Sequence, residues 1–281
     1  MSNPEEPVLV VKNLRKQFGS GCTNCLDLKE ESLEGNYCPV CQTVYACRDI
    51  SLELYPGEIL GVVGESGSGK STLMRCLYFD EAVTAGQGYI KDYKDGQKNI
   101  FTETSQQKRY IRNHVLGMVY QNPYQGLRMG FSSIGNIAEK LIAAGNRNVG
   151  YMTDRAAGLL EKVNIPIYRM LEAPGKFSGG MQQRVQIAKA LSNNPPILFL
   201  DEVTTGLDLS VQAAVLDLIK IIQRELAISM LVVSHDLSVI RMLSERTIVM
   251  LGGKIIEQGL TDQILEDPQH PYTQQLVQSL L

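Results

Sequence analysis

The chain has 281 residues, with 27 Lys+Arg against 30 Asp+Glu, so its formal charge is −3; 44% of its residues are hydrophobic and 20% charged. This balance is that of a globular protein. It excludes a disordered or collagen-like chain and an overall basic coat for nucleic acid, so no direct nucleic-acid partner is expected. The length suits about two domains, or one large domain with an insertion.

No apolar run approaches the ~18 residues of a membrane span. The opening MSNPEEPVLV lacks the basic region, apolar core and cleavage site of a secretory leader. A cytoplasmic location is therefore expected, where disulfides are disfavoured. Five of the six cysteines, Cys22, Cys25, Cys38, Cys41 and Cys47, lie close together and need another reading.

Val8–Val11 is a short apolar strand, and residues 19–47 form a stretch rich in Gly, Cys, Asn and acidic residues. Ile50, Leu52 and Leu54 then alternate with Ser51, Glu53 and Tyr55, which predicts a half-buried strand. After the Pro56-Gly57 turn, Ile59–Val63 is a continuous apolar run, as in a strand buried on both faces. A Gly-rich loop and a helix from about Lys70 to Tyr78 follow. Gly117–Tyr120 is a strand; Ile134–Ala144, Thr153–Val163 and Gly180–Leu191 are helices. Ile197–Leu200 is a buried strand, and Leu209–Leu226 a long helix with Val211, Val215, Leu218 and Ile222 on one stripe. Met230–Val233 is a strand and Leu237–Leu243 a helix. Thr247–Leu251 and Lys254–Glu257 flank Gly252-Gly253, a hairpin signal. Alternating strands and helices predict an α/β fold with a largely parallel sheet. Residues 121–195, which carry no strong strand candidate, predict an inserted helical subdomain, and 260–281 a C-terminal helical tail.

Gly64-Glu65-Ser66-Gly67-Ser68-Gly69-Lys70-Ser71 fits G-x4-G-K-[ST], between a predicted strand and a predicted helix. Its glycines let successive N–H groups turn inward around a phosphate, and the helix adds its N-terminal dipole. Lys70 supplies a point charge for the β- and γ-phosphates, and the Ser71 hydroxyl is a Mg²⁺ ligand candidate. Ile197–Leu200 runs into Asp201-Glu202. There Asp201 would hold Mg²⁺ through water and Glu202 would polarise the water that attacks the γ-phosphate. Upstream, Phe177-Ser178-Gly179-Gly180-Met181-Gln182-Gln183-Arg184 opens a helix with free N–H groups and little side-chain bulk, a second anion site.

In this order and spacing the three motifs resemble those of the ATP-binding-cassette (ABC) ATPases, and the resemblance covers nearly the whole chain outside 19–47. It implies a single nucleotide-binding domain over 1–281 with the ABC type of P-loop NTPase fold. That fold has a mostly parallel core sheet with antiparallel β elements and an inserted helical subdomain; the small Cys-rich insert is added to it. It further implies an enzyme that hydrolyses Mg²⁺-ATP in a head-to-tail pair of subunits. By the family pattern, Phe18 stacks on adenine, and the loop from Gly64 to Ser71, with Thr72, holds the phosphates. Ser71, Gln121 and Asp201 serve Mg²⁺, Glu202 acts as base, and His235 contacts the γ-phosphate. Ser178, Gly179, Gly180 and Asp208 belong to the signature and D-loop segments, which lie against the nucleotide of the partner subunit. Two departures stand out. Val203 occupies the usual Pro position after the glutamate, which implies a less rigid loop. Phe177 and Met181 stand where Leu and Gln are commoner, and neither change removes an N–H donor.

The tail Asp267-Pro268-Gln269-His270-Pro271-Tyr272-Thr273 resembles that of oligopeptide and nickel importer ATPases and of the ATP-binding proteins of phosphonate C–P lyase systems. Gly126-Leu127-Arg128 and Gly135-Asn136-Ile137-Ala138-Glu139-Lys140-Leu141 look like the C–P lyase branch. Soluble C–P lyase subunits are then the expected partners, beside a second copy of the chain. Membrane permeases, with a peripheral location at the inner membrane, are the importer alternative. A free-standing soluble ABC protein is the third reading.

Cys22-x2-Cys25 and Cys38-x2-Cys41 resemble two zinc knuckles, each C-x2-C turn delivering two thiolates to one Zn²⁺. An iron–sulfur cluster and free thiols remain alternatives. Cys47 is expected to enter the following strand and Cys76 to pack in the core. Lys108, Arg109 and Arg112 are expected on a solvated helix face, His114 at the surface and His270 in a turn.

Overall fold

A computed structural model describes residues 6–25 and 33–278. The first part of the segment read above for a leader, residues 26–32 of the Cys-rich insert and residues 279–281 of the tail lie outside the described residues. In chain order the elements are β1 (Leu9–Phe18), β2 (Val44–Leu54), β3 (Ile59–Val63), α1 (Lys70–Leu77), β4 (Ala85–Ile90), α2 (Ser105–His114), β5 (Leu116–Val119), α3 (Pro123–Gly126), α4 (Ser133–Ala143), α5 (Val149–Lys162), α6 (Gly179–Ala190), β6 (Ile197–Asp201), α7 (Leu209–Leu226), β7 (Ser229–Val233), α8 (Leu237–Leu243), β8 (Arg246–Leu251), β9 (Lys254–Leu260), α9 (Thr261–Glu266) and α10 (Pro271–Gln278). Two compact units result: Met1–Tyr55 with Ile59–Glu103 and Val233–Leu281, and Pro56–Glu58 with Thr104–Val232.

In the first unit, β2, β1 and β4 form an antiparallel sheet in that order. β2 buries Ile50, Leu52 and Leu54 and exposes Ser51 and Glu53, as the alternation predicts. β1 runs well beyond the expected Val8–Val11. Its register slips after Val11, with Asn13 at φ +50, so the buried set moves from Leu9 and Val11 to Leu14 and Lys16. A bulge shifts the inward parity, which hid the strand's second half. β4 was not foreseen, because Ala85-Gly86-Gln87-Gly88 offers little apolar alternation. β3 is buried at every residue and pairs in parallel with β8; β8 turns at Gly252-Gly253 to pair antiparallel with β9, the expected hairpin. Cys47 on β2 and Cys76 on α1 are buried, and burial pushes both thiols up, Cys76 to about 12.

In the second unit β5 and β6 are parallel, from Leu116↔Ile197 to Val119↔Leu200, and β7 lies beside β6. Every residue of these three strands is buried. α4, α5 and α6 pack together through residues such as Ile137, Leu141, Leu159, Leu160 and Ile187. α5 starts ahead of the expected Thr153 because Asn148 caps it, accepting from Tyr151 N. On α7 the buried stripe is Val215, Leu216, Leu218, Ile219 and Ile222; Val211, assigned to it above, is only half-buried in the first turn. α2 is the helix whose solvated face is expected above, without bounds. It starts with a Thr104–Gln107 capping box and carries Lys108, Arg109 and Arg112, with His114 stacked on Tyr110. No helix among the described residues is long and apolar enough to cross a membrane.

Candidate functional site

In the first unit the chain leaves β3, turns through Gly64–Gly69 and enters α1 at Lys70. Two close approaches fix this path. A Cβ on Gly69, at φ +103, would lie 2.0 Å from the Ala46 carbonyl oxygen of β2; one on Gly64, at φ +152, would lie 2.1 Å from that of Met250 on β8. Glycine alone meets both demands. Lys70 is 4% exposed, and its Nζ donates to the Gly64 and Glu65 carbonyl oxygens at 2.7 Å each and to Ser68 Oγ at 3.3 Å. Glu65, Ser66 and Gly67 are exposed, and Ser71 and Thr72 half-buried on the first turn of α1. The dipole of α1 points its positive end at this loop.

The outer side of the loop is held by residues away from the motif. Gly253 N donates to Ser68 O at 3.1 Å, Asn36 Nδ2 to Gly67 O at 3.4 Å, and Glu65 N to the Tyr272 hydroxyl at 2.7 Å. Phe18 ends β1 with its ring 42% exposed and Lys16 Nζ 4.5 Å from its centroid. His235 is exposed just past β7, and the neighbouring Asp236 caps α8 by accepting from Ser238 N.

In the second unit Asp201 ends β6 and is buried. Glu202 follows at φ +45, a left-handed conformation that strains a residue other than glycine. Thr205 N donates to its carbonyl oxygen at 3.1 Å, and Oε2 accepts from Thr205 Oγ1 at 3.2 Å and from Gln121 Nε2 at 3.0 Å. Gln121 and Glu202, far apart in sequence, thus meet. Val203, at the position where the family pattern has Pro, is buried at 3% exposure. Ser178 caps α6, its Oγ accepting from Met181 N; Gly179 is exposed and Gly180 buried. Asp208 caps α7. Its Oδ1 accepts from Ser210 Oγ at 2.7 Å and Val211 N at 3.0 Å, and these bonds hold the carboxyl below its ordinary range.

The signature helix reaches the Gln121 segment through two buried glutamines. Gln186 Oε1 accepts from Tyr120 N at 2.6 Å while its Nε2 donates to Tyr120 O at 3.1 Å and to Gln183 Oε1 at 2.9 Å. Gln183 Nε2 donates to Gln121 O at 2.9 Å. A Cβ on Gly126 would lie 2.2 Å from Gln186 Oε1, so that glycine makes room for the amide.

Cys22, Cys25, Cys38 and Cys41 bring their sulfurs within 4.8 Å of one another, with separations of 3.6, 3.9 and 3.5 Å for the pairs 22–25, 22–38 and 25–41. A tetrahedral ion with metal–sulfur bonds of ~2.3 Å spaces its sulfurs about 3.8 Å apart, so the four fit one metal. Thr43 holds the Cys41 thiol down to about 6, while burial takes Cys22 up to about 11. The Tyr45 hydroxyl donates to Cys25 Sγ and lies buried with Leu33 against the cluster.

Motif reading does not single out Gln186, Thr205, Asn36 or Tyr272 as site residues. Gln186 has a signal, a polar residue between Val185 and Ile187 on an otherwise buried helix face; Tyr272 lies in the tail motif. Asn36 and Thr205 have none, because only the folded chain brings them to their partners.

The ABC transporter family profile matches residues 47–205. The chain is 46% identical over 233 residues to the phosphonates utilization ATP-binding protein PhnK of Escherichia coli (strain K12), spanning 83% of this chain and 90% of that one. It is 36% identical over 241 residues to the oligopeptide transport ATP-binding protein OppD of Bacillus subtilis (strain 168), spanning 84% and 67%. Among solved structures it is similar to the ATP-binding cassette MJ0796 in a dimeric post-hydrolysis state bound to ADP and Pi, with TM-score 0.74, 27% identity, and coverage of 90% of this chain and 98% of that one.

Gln186→Met keeps the side-chain length and removes both bonds to Tyr120. Unfolding in urea is expected to show a loss of about 1–3 kcal/mol. A midpoint equal to the parent's would show that the bonds contribute nothing.

Proposed function

This chain belongs to the ABC transporter family and is an ATPase, and on that premise we propose that it is the ATP-binding component of a phosphonate C–P lyase system, acting in the cytoplasm as a head-to-tail homodimer. The observation that carries the reading is the higher identity to the phosphonates utilization relative than to the oligopeptide one. The resemblance of the Gly126-Leu127-Arg128 text to the C–P lyase branch supports it. The identity to the oligopeptide relative and the shared tail favour a second reading, the ATP-binding subunit of a peptide or nickel importer.

Bound Mg²⁺-ATP supplies a phosphoryl group whose transfer to water needs charge neutralisation and an aligned nucleophile. The loop from Gly64 to Gly69 offers its N–H groups to the phosphates, and Lys70 its charge. Ser71, Asp201 and Gln121 would supply the oxygen ligands and water contacts for Mg²⁺. Glu202 takes the proton of the attacking water, and His235 steadies the γ-phosphate. Phe18 stacks on the base. Ser178, Gly179, Gly180 and Asp208 complete the partner subunit's site, so turnover depends on pairing. Because Gln121 already donates to Glu202, the carboxylate is oriented before water arrives.

The four cysteines are assigned to one structural Zn²⁺. Among the described residues, Leu33 and Tyr45 are the apolar partners packed with the sulfurs, so the ion would be the organiser of this polar insert.

Glu202→Gln is expected to bind ATP like the parent and to lower kcat by at least ~100-fold, the scale of a lost general base; Lys70→Ala is expected to lose binding instead. Parallel binding and steady-state assays check both, and parent-rate hydrolysis by the Glu202 variant would overturn its role. Elemental analysis of protein purified without added metal is expected to give one zinc per chain. Cys38→Ser should lose it and open residues 19–43 to protease while the rest stays folded; full thiol reactivity in the native protein would contradict the site.

Co-purification from the native cell without detergent is expected to recover soluble lyase subunits. A two-permease membrane complex would replace this reading with the importer. Arg128 is paired with Glu139 at 2.7 Å, so reversing its charge would set two carboxylates together; Arg128→Gln is the cleaner variant and is expected to weaken association with little change in basal ATPase.

A further inference from the structure

The tail motif helps to sort the family's branches, yet nothing in the reading above gives it a task. Its residues are strapped down in detail. Glu257 on β9 accepts from Gln269 N at 2.8 Å and His270 N at 3.0 Å, one carboxylate oxygen each. Burial works to raise this carboxyl, but the amide donors carry it below its ordinary range, so it stays charged in its strap. Gln274 Nε2 returns to Pro268 O at 3.0 Å, and Gln274 N to His270 O at 3.0 Å. Pro271 opens α10, where a missing N–H costs nothing. His270 Nδ1 accepts from Tyr272 N at 3.1 Å, and Thr273 is fully buried. The residue these contacts present is Tyr272, half-buried, with its hydroxyl 2.7 Å from Glu65 N.

The peptide between Gly64 and Glu65 links the phosphate loop to the tail. Its carbonyl oxygen, that of Gly64, accepts from Lys70 Nζ at 2.7 Å. Its N–H, that of Glu65, points to the opposite side of the planar bond and donates to the Tyr272 hydroxyl. The plane of this peptide therefore bears on where Lys70 points, and Tyr272 is its hold from outside.

We propose that Tyr272 is a positioning residue of the nucleotide site: its hydroxyl fixes the Gly64–Glu65 peptide and so preorganises the phosphate loop and Lys70, and the D-P-x-H-P-Y-T tail serves to present it. Fixing the loop beforehand lowers the ordering that binding must supply. The effect falls on nucleotide affinity rather than on the chemical step, because the hydroxyl touches neither reacting water nor base. This inference rests on the reading of Gly64–Ser71 as the phosphate site.

The test titrates Mg²⁺-ADP by calorimetry into the full-length parent, Tyr272→Phe, Glu257→Gln and Lys70→Ala proteins, and measures steady-state ATPase alongside. Tyr272→Phe keeps the ring and removes one oxygen. It is expected to raise the ADP Kd and the ATP KM threefold to tenfold, with kcat falling less than twofold and the ligand-free melting temperature unchanged. Glu257→Gln, which loosens the strap without touching the loop, is expected to shift Kd in the same direction by a smaller factor. A Tyr272→Phe Kd within twofold of the parent, while Lys70→Ala loses binding, overturns the role of Tyr272 and leaves the phosphate site standing. Parent-like binding by Lys70→Ala overturns the phosphate site itself. A fall in melting temperature with kcat and KM both altered in Tyr272→Phe would assign the tyrosine to stability alone.

Discussion

The first unit is organised by how closely one short loop must pass its neighbours. Carbonyl oxygens of Ala46 and Met250 stand where side chains at Gly69 and Gly64 would be. Those contacts commit β2 and β8 to flank the loop, because a shift of either strand would open a gap or force a clash. An N–H group that turns toward an anion cannot also hold the loop; Glu65 N and Ser68 N go instead to the Tyr272 hydroxyl and the Glu65 carbonyl oxygen. The loop's fixing points therefore come from its carbonyls, from Lys70 and from outside groups, namely the Gly253 turn, Asn36 of the insert and Tyr272 of the tail.

The second unit solves a different problem, holding an acidic side chain in a strained backbone conformation. The positive φ of Glu202 is compensated by the Thr205 bonds, by Val203 buried beneath the turn and by Gln121 on the carboxylate. Gln121 is in turn placed by glutamine side chains of the signature helix, Gln183 donating to its carbonyl oxygen and Gln186 bonding both main-chain groups of the preceding Tyr120. One continuous set of hydrogen bonds thus joins the helix that carries Ser178 to the carboxylate of Glu202. Burying two amides on α6 is acceptable because their polar atoms find partners there.

Much of this was legible in the sequence, for identifiable reasons. β3, β6 and β7 are buried on both faces, so their residues form unbroken apolar runs, and α7 and α8 were found at their full lengths. The cysteine cluster was legible from spacing alone, since a C-x2-C turn can do little else with two close sulfurs. β1 was truncated because its bulge reverses the alternation that pattern reading follows, and β4 was missed because glycines replace apolar residues in it. Val203 looked like a weakness in isolation, yet its neighbours bury it. Gln186, Asn36 and Tyr272 owe their roles to partners at large sequence separations, which no local pattern encodes.

The insert joins the ends of a hairpin that is already closed. Phe18 and Val44 are paired across β1 and β2, so whatever lies between them begins and ends at adjacent points. Chain length there is cheap: closure entropy grows by about 0.6 kcal/mol per doubling, or roughly 2 kcal/mol for replacing a short turn by residues 19–43. Drawing four sulfurs of that loop together recovers part of this by dividing it into smaller rings. The hairpin is thus a graft point at which the scaffold is indifferent to what is inserted. The graft is not indifferent to the scaffold, because its Asn36 reaches the loop beside it.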